Sequence, residues 1–177
     1  SRNGIDEGGM VLVHELVHAL QDQALGLGVT YEQERSIDAG NAFHALVEGD
    51  ATLAMIGYLA ERAGGDLARL TSHPEILRAA LENAPTQAGA GELMSAPPIV
   101  RIPLLSAYFD GLLFCASLHA RRAWPSVDRA FTNLPASSEQ VLHPERFARG
   151  ELPEVVTLPA LPELAAAGVT PLTDDTI

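Results

Sequence analysis

Two histidines four residues apart with a glutamate beside the first, His14, Glu15 and His18, spell HELVH near the start of the chain. On a helix, positions four apart lie one turn apart on the same face, so both imidazoles can reach one ion at about 2.0–2.1 Å. Glu15 is rotated by about 100° from His14, which keeps it out of the ligand set. It can still reach a zinc-bound water and take its proton. Residue types and spacing therefore point to zinc-dependent hydrolysis with Glu15 as general base.

A catalytic zinc usually takes three protein ligands and keeps one position open, so a third donor is required. Glu48 lies in ALVEGDA, inside an apolar stretch where an unpaired carboxylate is costly and a cation would compensate it. Asp50 is the rival. It sits about 200° around a helix from Glu48, so the two cannot face one metal, and the apolar neighbours Ala45, Leu46 and Val47 favour Glu48. His44, one turn before Glu48, either supports the site or lines its cleft. Asp22 either steadies a ligand histidine by a hydrogen bond or is an exposed residue near a helix end. Two residues are candidates for stabilising the oxyanion of a tetrahedral intermediate. One is His143, fixed by Pro144 in SSEQVLHPER, and the other is Tyr108. Each has a structural alternative, His143 as a turn cap and Tyr108 as an anchor at a core edge. His73 and His119 read as ordinary surface or partly buried histidines.

The elements that must position these groups are helices. Residues 8–26 form one, with Val11, Leu12, Leu16, Ala19, Leu20 and Ala24 at helical spacing and Gly26 as a stop. Residues 30–36 read as loop, and Ile37 to Ala63 as a second long helix ended by Gly64 and Gly65. Gly49 falls inside it at a cost near 1 kcal/mol against Ala, which implies a close approach at that point. Short helices are expected over 66–70 and 74–83, the second with Pro74 in its first turn, and a surface loop over 84–98. Leu104 to Trp124, with Phe109, Leu112, Leu113 and Leu118, reads as a buried helix broken by Pro125. A short helix over 126–131 and a capped single turn within 134–147 follow, and a strand is expected over 154–158.

HELVHALQDQ followed by ALVEGDATLAM resembles the gluzincin branch of the zincin-like metallopeptidases, whose best-known member is thermolysin. Together with SSEQVLHPERF, these segments look like a little-characterised group of bacterial proteins classed as zinc peptidases. The likeness runs over most of Met10 to Phe147. The resemblance implies zinc on His14, His18 and Glu48, with Glu15 as base, acting on a peptide or protein substrate. Three departures stand out. The interval from His18 to Glu48 is longer than in thermolysin. Position 52, where the thermolysin pattern has an Asp that orients a ligand histidine, is Thr52. The small sheet that zincins carry before the active-site helix would lie upstream, because only thirteen residues precede His14.

Composition bounds the rest. The 177 residues are 47% hydrophobic and 19% charged, which suits one packed domain and excludes disorder. Aromatics are 5% and Ala fills the apolar count, favouring helices over a sandwich. Net charge is −12, with eleven Arg and no Lys, so a nucleic-acid partner is disfavoured. The bias to Ala and Arg suits a GC-rich bacterial genome. Cys115 is the single cysteine and can make no internal disulfide. No apolar run reaches the roughly 18–20 residues of a membrane helix. The expectation is a mainly α, zincin-like helical domain over 1–177, with little or no β-sheet. Residues 151–177 are a Pro-rich C-terminal extension. The chain opens on Ser1, so it is expected to be part of a longer protein, with any targeting signal upstream. The competing functional reading is a non-catalytic, zinc-stabilised zincin scaffold that acts as an interaction module.

Overall fold

A computed structural model describes residues 7–27, 36–82, 95–154 and 168. Every element among them is a helix, and no strand occurs among the described residues. In chain order the helices are α1 (Glu7–Leu25), α2 (Ile37–Arg62), α3 (Leu67–Thr71), α4 (Pro74–Glu82), α5 (Pro98–Arg122), α6 (Trp124–Thr132), α7 (Ser138–Leu142) and α8 (Pro144–Arg149). The expected strand over 154–158 and the expected loops over 30–36 and 84–98 lie almost wholly outside the described residues.

The helix starts carry their own chemistry. Ser36 caps α2 by accepting a hydrogen bond from the Ala39 N–H at 3.2 Å, with Asp38 in the first turn. Asp66 does the same for α3 through the Ala68 N–H at 2.9 Å. Asp38 also accepts from the Ser138 N–H at 3.1 Å, tying the start of α2 to α7.

α2 and α5 form the centre of the fold. Ala42, Ala45, Leu46 and Leu53 of α2 are buried with Leu112, Phe114, Cys115, Ala116 and Leu118 of α5, and Leu67, Leu77, Val127 and Val141 close the core from the shorter helices. The two long helices meet backbone to backbone. A Cβ placed on Gly49 would lie 2.2 Å from the carbonyl carbon and oxygen of Gly111, and one on Gly111 would lie 2.0 Å from the Ala45 oxygen. The glycine that a helix ordinarily disfavours at position 49 is what permits this contact. At the same crossing the fully buried Cys115 thiol donates toward the Leu46 carbonyl oxygen, 3.7 Å away.

Three sequence expectations change. α5 begins at Pro98, six residues earlier than Leu104, and ends before Ala123, whose φ of 54° forces the turn. Pro125 does not break α5; it sits in the first turn of α6, where its missing N–H costs nothing. The apolar stripe of α1 does not face the core. Val11, Leu12, Leu16 and Leu20 are all exposed, and the face turned toward α2 carries His14, His18 and Gln21 instead. Phe109 is likewise 40% exposed, whereas Leu112 and Leu118 are buried as expected. By length and composition α5 could cross a membrane. Its Leu112, Phe114, Cys115, Ala116 and Leu118 are buried in the core of the helical bundle.

Candidate metal centre

α1 packs chiefly on α2, and that contact brings the HELVH face against the middle of α2. His14 and His18 lie one turn apart, with their rings edge-to-face at a centroid distance of 4.6 Å. Glu48 reaches between them from α2. Its Oε2 is 3.2 Å from His14 Nε2 and 3.5 Å from His18 Nε2, and the two Nε2 atoms are 3.0 Å apart. The three residues named from sequence thus converge on one point.

The donor set fits zinc. Donors at about 2.0–2.1 Å from a tetrahedral zinc lie about 3.3 Å from one another. The observed separations of 3.0, 3.2 and 3.5 Å bracket that edge. Two imidazoles and one carboxylate also form a ligand combination of catalytic zinc sites that leave a fourth position open.

Glu48 is only 9% exposed. Burial pushes its carboxyl up, but hydrogen bonds from His14 and His44 chiefly outweigh that and hold it well below the usual carboxylate range. His44 meets the other carboxylate oxygen, Oε1, with its Nε2 at 3.3 Å. Both oxygens of Glu48 are therefore engaged, one toward the histidines of α1 and one toward the preceding turn of α2.

Asp50 faces elsewhere. Its Oδ2 accepts from Gln21 Nε2 at 2.7 Å. Burial pushes the Asp50 carboxyl up; the Gln21 amide pulls against this and the Asp128 charge adds to it. Gln21 was not singled out by sequence reasoning, although it lies three residues after His18 on the same helix face. It is 5% exposed and bonds His18 as well as Val47 and Asp50. Asp22 is exposed, and the Nδ1 of His18 is met by Gln21.

The remaining candidates separate clearly. Glu15 is exposed, next to His14 on α1. Tyr108 of α5 stacks on His14, with ring centroids 5.9 Å apart and planes inclined by 29°. His143 stands exposed at the junction of α7 and α8, its Nδ1 3.6 Å from Glu145, and no contact joins it to the cluster among the described residues. His119 is buried on Trp124 with its Nδ1 3.0 Å from the Thr71 hydroxyl, and His73 pairs with Glu75. Thr52, one turn beyond Glu48, has a buried hydroxyl oxygen without a hydrogen-bond partner among the described residues.

No family model matches this chain, and neither a curated protein nor a solved structure is significantly similar to it.

Proposed function

We propose that this chain is a zinc-dependent peptide-bond hydrolase of gluzincin type, with His14, His18 and Glu48 as ligands. The observation that carries the reading is the convergence of two imidazole nitrogens and one buried carboxylate oxygen at 3.0–3.5 Å from two separate helices. A zinc ion held there supplies Lewis-acid polarisation of a carbonyl and acidifies a water toward a pKa of about 7. Glu48 holds its charge in a buried setting and so keeps the ligand set anionic. Glu15, exposed beside His14, takes a proton from the attacking water and returns it to the departing amine. Tyr108 packs against His14 and steadies that ring, and its position favours it over His143 as the oxyanion donor.

The test is Glu15→Gln in the zinc-loaded protein, assayed on a mixed peptide library. One zinc per chain should remain bound at unchanged affinity, while hydrolysis falls by about 10²–10⁴-fold. Unchanged hydrolysis removes Glu15 from the reaction. Bound zinc with no hydrolysis in the unaltered protein leaves the zinc-stabilised scaffold as the correct reading.

A further inference from the structure

Gln21 is a buried amide, and its hydrogen bonds admit only one orientation. The Val47 carbonyl oxygen, 3.1 Å from one end of the amide, can only accept, so that end is the nitrogen. The same nitrogen lies 2.7 Å from Asp50 Oδ2, which engages its second N–H. The amide oxygen is then left facing His18 Nδ1 at 2.8 Å. An amide oxygen accepts and never donates, so Nδ1 must carry the hydrogen. In a neutral imidazole this leaves Nε2 as a bare lone pair, and Nε2 is the atom turned toward His14 and Glu48.

We propose that Gln21 is a positioning residue that fixes His18 in its Nδ1–H tautomer and orients Nε2 for the metal, with Val47 and Asp50 as the anchor of the amide. The proposal rests on the zinc reading of the cluster. A metal-bound histidine ordinarily donates its other N–H to a carboxylate, a carbonyl or water, and that contact fixes tautomer and ring orientation. The side-chain hydroxyl of Thr52, at the position of the orienting Asp in the thermolysin pattern, has no hydrogen-bond partner among the described residues. Here the acceptor is an amide on the ligand helix itself, and the carboxylate stands one step further back. The anchor is also economical in space, because Val47 and Asp50 flank Glu48. The turn of α2 that supplies the carboxylate ligand therefore also sets the proton position on the histidine ligand of α1.

The experiment combines zinc titration against a chromophoric chelator with long-range ¹H–¹⁵N correlation of the histidine rings. The unaltered protein should show His18 with hydrogen on Nδ1, both metal-free and zinc-loaded. Gln21→Met, which keeps the volume but not the amide, should bind zinc about 10–100-fold more weakly. The pair Gln21→Glu with Asp50→Asn restores an acceptor for Nδ1 and a donor to hold it, and should bind zinc at least about tenfold tighter than Gln21→Met. A Gln21→Met protein that binds zinc as the unaltered chain does, or an Nε2–H tautomer at His18 in the unaltered chain, overturns the proposal. An unaltered protein that takes up no zinc yet keeps the Nδ1–H tautomer overturns the metal reading and leaves Gln21 a structural clamp. Because the tautomer is read on the unaltered protein, a poorly folded variant does not remove the test.

Discussion

Gly49 of α2 and Gly111 of α5 stand so close that a methyl group on either would penetrate the backbone of the opposing helix. The cluster is built next to this crossing, since Glu48 precedes Gly49 directly. Backbone contact at the crossing leaves no room for rotation of α2, and this fixes the direction from which the Glu48 carboxylate approaches α1.

Gly49→Ala should therefore be destabilising although Ala is the better helix former. The propensity gain of about 1 kcal/mol is opposed by overpacking at or above the upper end of its usual range of about 1–3 kcal/mol. A net loss near 2 kcal/mol, read from denaturant unfolding, is expected. Gly40→Ala, where an added Cβ meets nothing within 4 Å, should instead gain about 0.5–1 kcal/mol. Equal effects at the two sites would show that the helices are not in contact.

The ligand assignment predicts an order of zinc affinities. Glu48→Ala removes a donor atom and should weaken zinc binding by more than about 100-fold, whereas Asp50→Ala loosens only the Gln21 anchor and should cost about 10–100-fold. Isothermal or chelator-competition titration decides the order. The reverse order would transfer the ligand role to Asp50.

Zinc should also brace α1, whose main packing is against α2. Free zinc at about 1,000 times its dissociation constant contributes about 4 kcal/mol to stability. For a chain of this size that corresponds to a rise of about 8–16 °C in the melting midpoint, reversed by a chelator. Hydrogen exchange should locate the loss of protection in α1 first. A midpoint indifferent to chelator would argue against any structural metal.

His119 gives a pH dependence independent of the metal. Burial holds its imidazole below the ordinary value of 6.5, against a smaller opposite pull from Asp66. A histidine with a lowered folded pKa takes up protons more readily when unfolded. Stability should therefore be fully present above pH 6.5 and decline as pH falls below it toward the lowered folded value. Comparing melts of the unaltered protein and His119→Gln between about pH 7.5 and 5 isolates this component, since the variant should lack it. Parallel curves would assign the pH dependence to other groups.

The sequence made the convergence of His14, His18 and Glu48 legible because helix geometry is rigid. An i, i+4 histidine pair can only share a face, and a carboxylate among Ala45, Leu46 and Val47 has few reasons to be buried. Gly49 was legible for a similar reason, as a residue whose cost demands a contact. Gln21 was not, since nothing in its type tells whether an amide turns inward. The α1 stripe shows the limit of periodicity: it specifies a helix and an apolar side but not which side is covered. The end of α5 was hidden because Ala123 adopts a positive φ that composition does not announce, while Pro125 signals a break and a helix start equally well. Sequence reading set His143 ahead of Tyr108, and the distance across the fold that separates the two is not written in their residue types or in their neighbours.

The buried thiol at the crossing of the long helices has a practical consequence. Cys115 is shielded from solvent, and burial, with the Asp50 charge added, pushes its thiol well above the ordinary value. It can react with a reagent only when α2 and α5 part. As the single cysteine of the chain, it makes the rate of thiol labelling a native stopwatch for that opening.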